Sequence, residues 1–137
     1  VGVDVQAKSY DYATYYAVAQ SGGILNGGKF DLALYSWVSG SDPDNSSQWL
    51  CSAVPPAGNN VTRYCSPEMD AAQHLALSTF DRGVRTKAYR TIESLLVRDA
   101  PAAFMYYRSL VYAHTPSLQN FTPNGTSEGW NAYEWNR

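Results

Sequence analysis

The side chains best suited to chemistry lie in a short polar loop that follows an apolar run. The loop contains two carboxylates, Asp42 and Asp44, in the order Asp-Pro-Asp-Asn. Many Ca²⁺-binding loops begin in this way, but the sixth position lacks the required glycine and the twelfth is Ala53 instead of Glu. The sequence therefore predicts a turn, in which Pro43 restrains φ and the two acids accept hydrogen bonds from nearby backbone N–H groups.

The other candidates for catalysis or metal binding lack the spacing that such chemistry requires. His74 and His114 are far apart in sequence, and neither belongs to a zinc-binding motif. Glu128 and Glu134 are a possible carboxylate pair for glycoside hydrolysis, but both lie in a turn-rich tail. Ser66 is outside any GxSxG motif. We predict that the protein is not an enzyme and has no catalytic residue, no metal site and no cofactor.

The polar loop is predicted to line a ligand-binding site. Residues 30–37 place apolar side chains on both faces, as in a strand buried inside a sheet. Open α/β sheets bind ligands in polar loops at the carboxyl ends of such strands. Trp37 lies at the end of the predicted strand, and two interpretations of its ring stay open: it covers the core, or it packs against a ligand. The predicted ligand-binding residues are Tyr35, Trp37, Val38, Ser39, Gly40, Ser41 and Asp42.

The periodicity of the chain predicts an α/β fold around this loop. Apolar alternation or short apolar runs predict strands at residues 1–7, 30–37, 102–107, 109–114 and 130–135. Helices are predicted at residues 12–20 after Asp11, from Pro67 after Ser66, and at residues 81–99, where Pro101 forces the end. Val84, Ala88, Ile92, Leu95 and Leu96 form the apolar face of the last helix.

The composition indicates one domain and excludes several classes of partner. The chain has 137 residues, and its ten basic and twelve acidic residues leave a net charge of −2 without a basic stripe. Nucleic acid and anionic membrane are therefore poor partners. No apolar run approaches the roughly 20 residues that span a bilayer. The start at Val1 without Met is typical of a mature or excised piece of a longer chain.

The two cysteines, Cys51 and Cys65, bracket a loop that contains Pro and Gly. There is no CxxC motif, and the histidines are poorly placed for zinc. We predict a disulfide, and hence an oxidising compartment outside the cytoplasm. Two free buried thiols are the alternative.

The order of motifs resembles a known family. FDLALYSW followed by DPDN, the cysteine-bounded loop, YCSPEMD, the Arg85-to-Tyr89 spacing and DAPAAFMYY appear in the order found in family 5 solute-binding proteins, towards their C-terminal end. These proteins are the receptors of peptide and nickel ABC importers. The resemblance implies a periplasmic-binding-protein type II lobe, with a mixed sheet and flanking helices. It places residues 1–137 as one domain in the second lobe, with residues from about 109 to 137 returning to the first.

The resemblance also implies a function. The chain is expected to capture an extracytoplasmic solute by closure of two lobes, as a monomer that delivers it to a membrane permease without inserting in the bilayer. A peptide is the first ligand predicted, and an oligosaccharide or nickel chelate is the alternative. The alternative from another functional class, the enzymes, is a fragment of a secreted hydrolase. In dipeptide receptors an Asp in this loop pairs with the peptide amino terminus, whereas here no acid stands between Trp37 and Asp42. Either Asp42 replaces that anchor or the ligand has no such amine.

Overall fold

Helices provide the regular structure of the protein. The computed structural model describes residues 2–38, 40–107, 109–125 and 127–137. Its helices are α1 (Tyr12–Tyr16), α2 (Ser46–Trp49), α3 (Pro67–Leu77) and α4 (Arg82–Asp99), with 3₁₀ turns at Ala19–Ser21, Cys51–Ala53 and Ala132–Glu134. Two compact units are present, one formed by Val1–Trp37 and Asp44–Ala102, the other by Val38–Pro43 and Ala103–Arg137.

The predicted α/β lobe with a mixed sheet is wrong. None of the described residues forms a β-strand, and Gln119 and Asn136 form an isolated antiparallel bridge. Residues 30–37 and 102–107 have no regular structure, and Leu32 and Phe104 within them are 83% and 74% exposed. A strand needs a neighbour to bond its N–H and C=O groups. Within the described residues these segments have no such neighbour, so apolar alternation alone did not produce strands.

The other predicted strands are also not formed in the described part of the chain. Residues 2–7 and 109–114 have no regular secondary structure in the part of the chain that the structure describes, and Val1 lies outside it. In the last predicted strand, residues 130–135, a 3₁₀ turn forms at Ala132–Glu134. Its backbone groups are satisfied locally, as in the hydrogen bond from Glu134 N to Asn131 O at 2.9 Å.

The predicted caps of α1 and α3 are confirmed, because Asp11 accepts a hydrogen bond from Thr14 N and Ser66 caps α3. The helix α4 begins one residue later than predicted, and Asp81 is its cap, accepting from Val84 N at 2.7 Å. These side chains satisfy N–H groups that have no partner within the helix. None of the helices among the described residues has the length and apolar character to cross a membrane.

The predicted end of the first helix is wrong, whereas the predicted end of α4 is confirmed. The helix α1 ends at Tyr16 instead of residue 20, because Ala17 adopts an extended ψ of 154° and a separate 3₁₀ turn follows. The left-handed Gly22 closes that turn. The helix α4 ends at Asp99, and Ala100 caps it with a φ of 46°.

The core of the first unit lies between α3 and α4. Apolar side chains that recur at helical spacing are buried on both helices, and Trp49 at the end of α2 joins them. Tyr64 and Tyr89 pack against this cluster. The predicted face of α4 is confirmed from Ala88 onward, whereas Val84 is 37% exposed. The buried cluster consists of Trp49, Met69, Ala72, Ala76, Ala88, Ile92, Leu95 and Leu96.

A polar network at the surface connects α3 to the end of α4. Arg98 donates hydrogen bonds to Asp99 and, at 2.7 Å, to Glu68 on α3. The Tyr64 hydroxyl donates to Asp99 Oδ2 at 2.6 Å, an oxygen that also accepts from Arg98 Nη2. The Arg98 guanidinium and the Tyr64 hydroxyl lower the pKa of Asp99 to about 2.

The disulfide predicted from the cysteine spacing is confirmed, since Cys51 and Cys65 are bonded. Inside the loop that they close, Asn60 is fully buried, and its amide donates to Leu50 O at 3.0 Å and Tyr64 O at 2.7 Å. Asp70 of α3 accepts a hydrogen bond from Cys51 N. Covalent and polar links therefore hold this loop against the helical core.

The cysteine loop is also linked to the glycine-rich segment near residue 28. The Arg63 guanidinium donates to Asn26 O at 3.3 Å and to Val61 O at 3.1 Å. It lies against Gly28, which has a φ of +64°. The backbone angle at Gly28 therefore favours glycine, and a Cβ there would require the flexible Arg63 guanidinium to move.

The second unit is organised around Asn131, which is fully buried. Its amide nitrogen lies 2.8 Å from both Asn120 O and Thr122 Oγ1, while its oxygen accepts from Trp135 Nε1. Phe121 contributes ring contacts with Tyr112, His114 and Trp135.

We predict that Gly28→Ala lowers the free energy of unfolding by roughly 1–3 kcal/mol, as is typical of strained left-handed residues. The new Cβ would lie 2.3 Å from Arg63 Nη1 and would displace the guanidinium from its two carbonyl partners. Urea unfolding followed by circular dichroism measures the change. Gly129→Ala is the matched control, because a Cβ there meets no atom within 4 Å. Equal effects of the two substitutions would contradict the role assigned to Gly28.

We also predict that Asp99 makes the fold sensitive to acid. Its folded pKa of about 2 is below the value near 3.9 of an unfolded chain. The ionised carboxylate therefore stabilises the fold above about pH 4, and this contribution is lost as the pH falls towards 2. Asp99→Asn should flatten the dependence of Tm on pH within that window. Tyr64→Phe should flatten it in part, because Arg98 still contacts the carboxylate. Identical pH profiles of Asp99→Asn and the unsubstituted chain would refute the prediction.

Candidate functional site

Tyr35 and Trp37, the first two predicted ligand-binding residues, belong to the first unit. Tyr35 is half-buried, and this burial raises the pKa of its hydroxyl, with smaller contributions from Tyr15 and Tyr16. The Tyr35 hydroxyl is thus a neutral hydrogen-bonding group at physiological pH. Trp37 is 45% exposed, so a large part of its ring is available for contact.

Tyr15 of α1 contacts the segment that leads to Trp37, because its hydroxyl donates a hydrogen bond to Leu34 O at 3.1 Å. Within α1, the Tyr15 ring meets the edge of Tyr16 at 5.0 Å between centroids, and Tyr12 lies 4.6 Å from Tyr16. Because α1 is short, these ring contacts help to stabilise the helix that carries Tyr15.

The next predicted ligand-binding residues belong to the second unit and are exposed. Val38 is 70% exposed, and a side chain placed at Gly40 would meet no atom within 4 Å. Ser41 and Asp42 are likewise on the surface. Ser39 lies outside the described residues. Apart from Ser39, the predicted loop therefore presents backbone, hydroxyl and carboxylate groups to the solvent.

The residues that follow the loop form the predicted turn. Asp44 Oδ1 accepts a hydrogen bond from Ser46 N at 2.9 Å, two residues along the chain. Asn45 precedes α2, and its carbonyl accepts from Gln48 N at 3.0 Å. The Asp44 carboxylate therefore fixes the start of α2, as the turn interpretation requires.

Several polar side chains considered for chemistry have structural partners. Ser66 Oγ accepts from Met69 N as the cap of α3, and Glu134 Oε2 accepts from Asn131 Nδ2 at 3.0 Å. His114 Nδ1 lies 3.0 Å from Thr115 O. Within the described residues, no three His, Cys, Asp or Glu side chains lie close enough to hold a metal ion.

Sequence reasoning missed Gln73, a fully buried residue of α3. Gln73 Nε2 donates to Asn45 Oδ1 at 2.6 Å, whereas Gln73 Oε1 makes no hydrogen bond with the described residues. An unpaired buried oxygen of this kind costs about 1–3 kcal/mol. A signal was present, because Gln73 follows Met69 by four residues on the face that Ala76 continues, where an apolar residue is expected.

Comparison with known proteins indicates the family. No protein-family model matches the chain, and no solved structure matches it. Curated relatives do match, and the chain spans about a fifth of their length.

These relatives are bacterial proteins named for binding peptides. Di/tripeptide-binding protein 1 of Pseudomonas aeruginosa (strain UCBPP-PA14) is 30% identical over 107 residues, which cover 74% of this chain and 18% of the relative. Glutathione-binding protein GsiB of Pectobacterium atrosepticum is 28% identical over 127 residues, covering 88% of this chain and 24% of the relative. Periplasmic murein peptide-binding protein MppA of Escherichia coli is 25% identical over 128 residues, covering 93% and 22%.

The matches cover most of this chain, and the family is the one whose motifs occur here in order. The resemblance is therefore confirmed: the chain is a relative of one segment of the peptide-binding family 5 solute-binding proteins.

Proposed function

We propose that this chain is part of an extracytoplasmic receptor that captures a peptide and delivers it to the permease of an ABC importer. The observation that carries the proposal is the shared ligand class of the relatives, which are named for di- and tripeptides, glutathione and murein peptide. The bonded Cys51 and Cys65 support an oxidising compartment, in which such a receptor works.

The capture mechanism is closure of two lobes around the ligand, with an affinity that includes the free-energy difference between open and closed states. Most of this chain belongs to the second lobe, and residues from about 109 to 137 belong to the first. The boundary of the second compact unit at Ala103 supports a division of the chain in this region.

The ligand contacts come from residues 35–42. The half-exposed Trp37 ring packs against the peptide, and the backbone and hydroxyl groups of Ser39, Gly40 and Ser41 bond to it. Asp42 is the first acid after Trp37 and is exposed. A carboxylate forms a charge-assisted hydrogen bond with a free ammonium group, so Asp42 takes the peptide amino terminus.

The amino-terminal contact predicts a selective effect of Asp42→Asn. A hydrogen bond to a charged group contributes about 1.5–3 kcal/mol, so loss of the charge should weaken dialanine binding by roughly 10- to 100-fold. Calorimetry on the full receptor that contains this chain measures the two affinities. N-acetyl-dialanine lacks the ammonium group and should bind the two proteins equally.

The same titrations distinguish the other ligands. Equal loss of affinity for dialanine and its acetylated form would remove the amino-terminal role of Asp42. Binding of cellotetraose or a nickel–histidine chelate, with no binding of di- or tripeptides, would refute the peptide proposal as a whole.

Trp37→Ala should weaken peptide binding by about tenfold, or 1.4 kcal/mol, with little change in Tm. The reason is that the ring is 45% exposed and has apolar surface left to bury against a ligand. Tyr133→Ala removes a ring that is 79% exposed and serves as the control. A lower Tm with unchanged affinity would assign Trp37 to the core instead of the ligand site.

A further inference from the structure

Basic side chains are concentrated on one helix of a chain that is acidic overall. Four of the ten basic residues, Arg82, Arg85, Lys87 and Arg90, lie in the first half of α4. No Asp or Glu occurs from position 82 to position 92, although the whole chain has a net charge of −2. Positive charge gathered in this way produces a local field that attracts an acidic partner.

Three of these side chains form one exposed surface, which we call the basic face of α4. Arg82, Lys87 and Arg90 are exposed, whereas Ile92 is almost fully buried. At about 100° per residue, the three basic positions lie within roughly 140° of the helix circumference, on the side opposite the buried residues. The distance along the helix from Arg82 to Arg90 is about 12 Å.

The charges of the basic face are not used within the described structure. Arg98, near the end of α4, forms ion pairs with Glu68 and Asp99, and the Arg85 guanidinium lies over the Tyr89 ring. By contrast, the three side chains of the basic face form no ion pair with any residue that the structure describes. They are therefore available to a partner.

The placement of these charges is unfavourable for the helix itself. The N-terminus of a helix carries a partial positive charge, which repels basic side chains. Arg82 is the first residue of α4, and the first turn contains no acid. Lys87 and Arg90 are three positions apart, so two like charges are also neighbours on the helix surface. Helix stability alone therefore does not account for the basic face.

We propose that the basic face of α4 docks an acidic surface of a partner protein. The face is short, and Asp81 and Glu93 border it along the chain. Anionic lipid and nucleic acid present negative charge over much longer distances, so these acids and the net negative charge would repel them. A protein surface can present a small group of carboxylates that matches three cations on one helix.

This inference rests on the proposed function for the identity of the partner. A receptor that delivers a peptide to an ABC importer has to be recognised by the permease, and the acidic surface is therefore assigned to the permease. Charged groups at an interface increase the rate of association and make it dependent on salt.

Charge reversal in the full receptor tests the docking. Lys87→Glu combined with Arg90→Glu should weaken binding to the permease by about tenfold or more and should reduce the salt dependence of association. Surface plasmon resonance measures both, with the permease and its ATPase subunits held in nanodiscs of neutral phosphatidylcholine. Lys8→Glu combined with Arg137→Glu is the matched control, because it changes the net charge equally at exposed residues outside α4. Acids suit the first half of a helix, so the Tm of the α4 variant should not fall.

Equal weakening by the two double variants would assign the effect to net charge and overturn the docking site, as would unchanged binding of the α4 variant to the permease. Loss of binding to phosphatidylglycerol vesicles, with permease binding intact, would assign the basic face to the membrane and also overturn the proposal. Calorimetry with dialanine keeps the two proposals separate, because the α4 variant should bind dialanine as tightly as the unsubstituted receptor does. An unsubstituted receptor that binds no peptide would refute the proposed function and, with it, the permease as the partner.

Discussion

The packing of α3 against α4 is the interaction on which the first unit depends. Met69 and Ile92 are fully or almost fully buried within one cluster that both helices share. Residues 78–81 alone connect the two helices, so the interface forms between neighbours in sequence and costs little chain entropy. Burial of apolar surface there stabilises a scaffold to which the less regular segments attach.

The attachments are made by polar side chains of this scaffold, both exposed and buried. On α3, Asp70 holds the backbone at Cys51, and Gln73 holds Asn45. At the end of α4, Asp99 accepts the Tyr64 hydroxyl. Hydrogen bonds are directional, so they set the course of loops that apolar contacts alone leave loosely defined. In the first unit, apolar burial holds α3 against α4, and side-chain hydrogen bonds cap the helices and attach the loops to them.

Polar side chains that were candidates for chemistry have structural partners among the described residues. Side chains that resemble catalytic or metal-binding groups cap helices or close turns, as Ser66 and Asp44 do. In the first unit Tyr35 is half-buried and Trp37 is partly exposed, and in the second unit Asp42 is exposed.

The sequence alone determined those features that depend on near neighbours. The cap at Ser66, the stop after Asp99 and the buried face from Ala88 onward were predictable, because helix signals act within a few residues. The order of motifs also indicated the family, and the cysteine spacing indicated the disulfide.

Only the tertiary structure decided the rest. Residues 30–37 and 102–107 carry the pattern of buried strands, yet strands require partners far along the chain, and no described segment pairs with them. The bond between Gln73 and Asn45 likewise joins residues whose proximity depends on how α2 packs on α3. Local sequence patterns predict helices and turns, because their hydrogen bonds join residues that are close in sequence. Pairing between residues that are far apart in sequence depends on the fold of the whole chain.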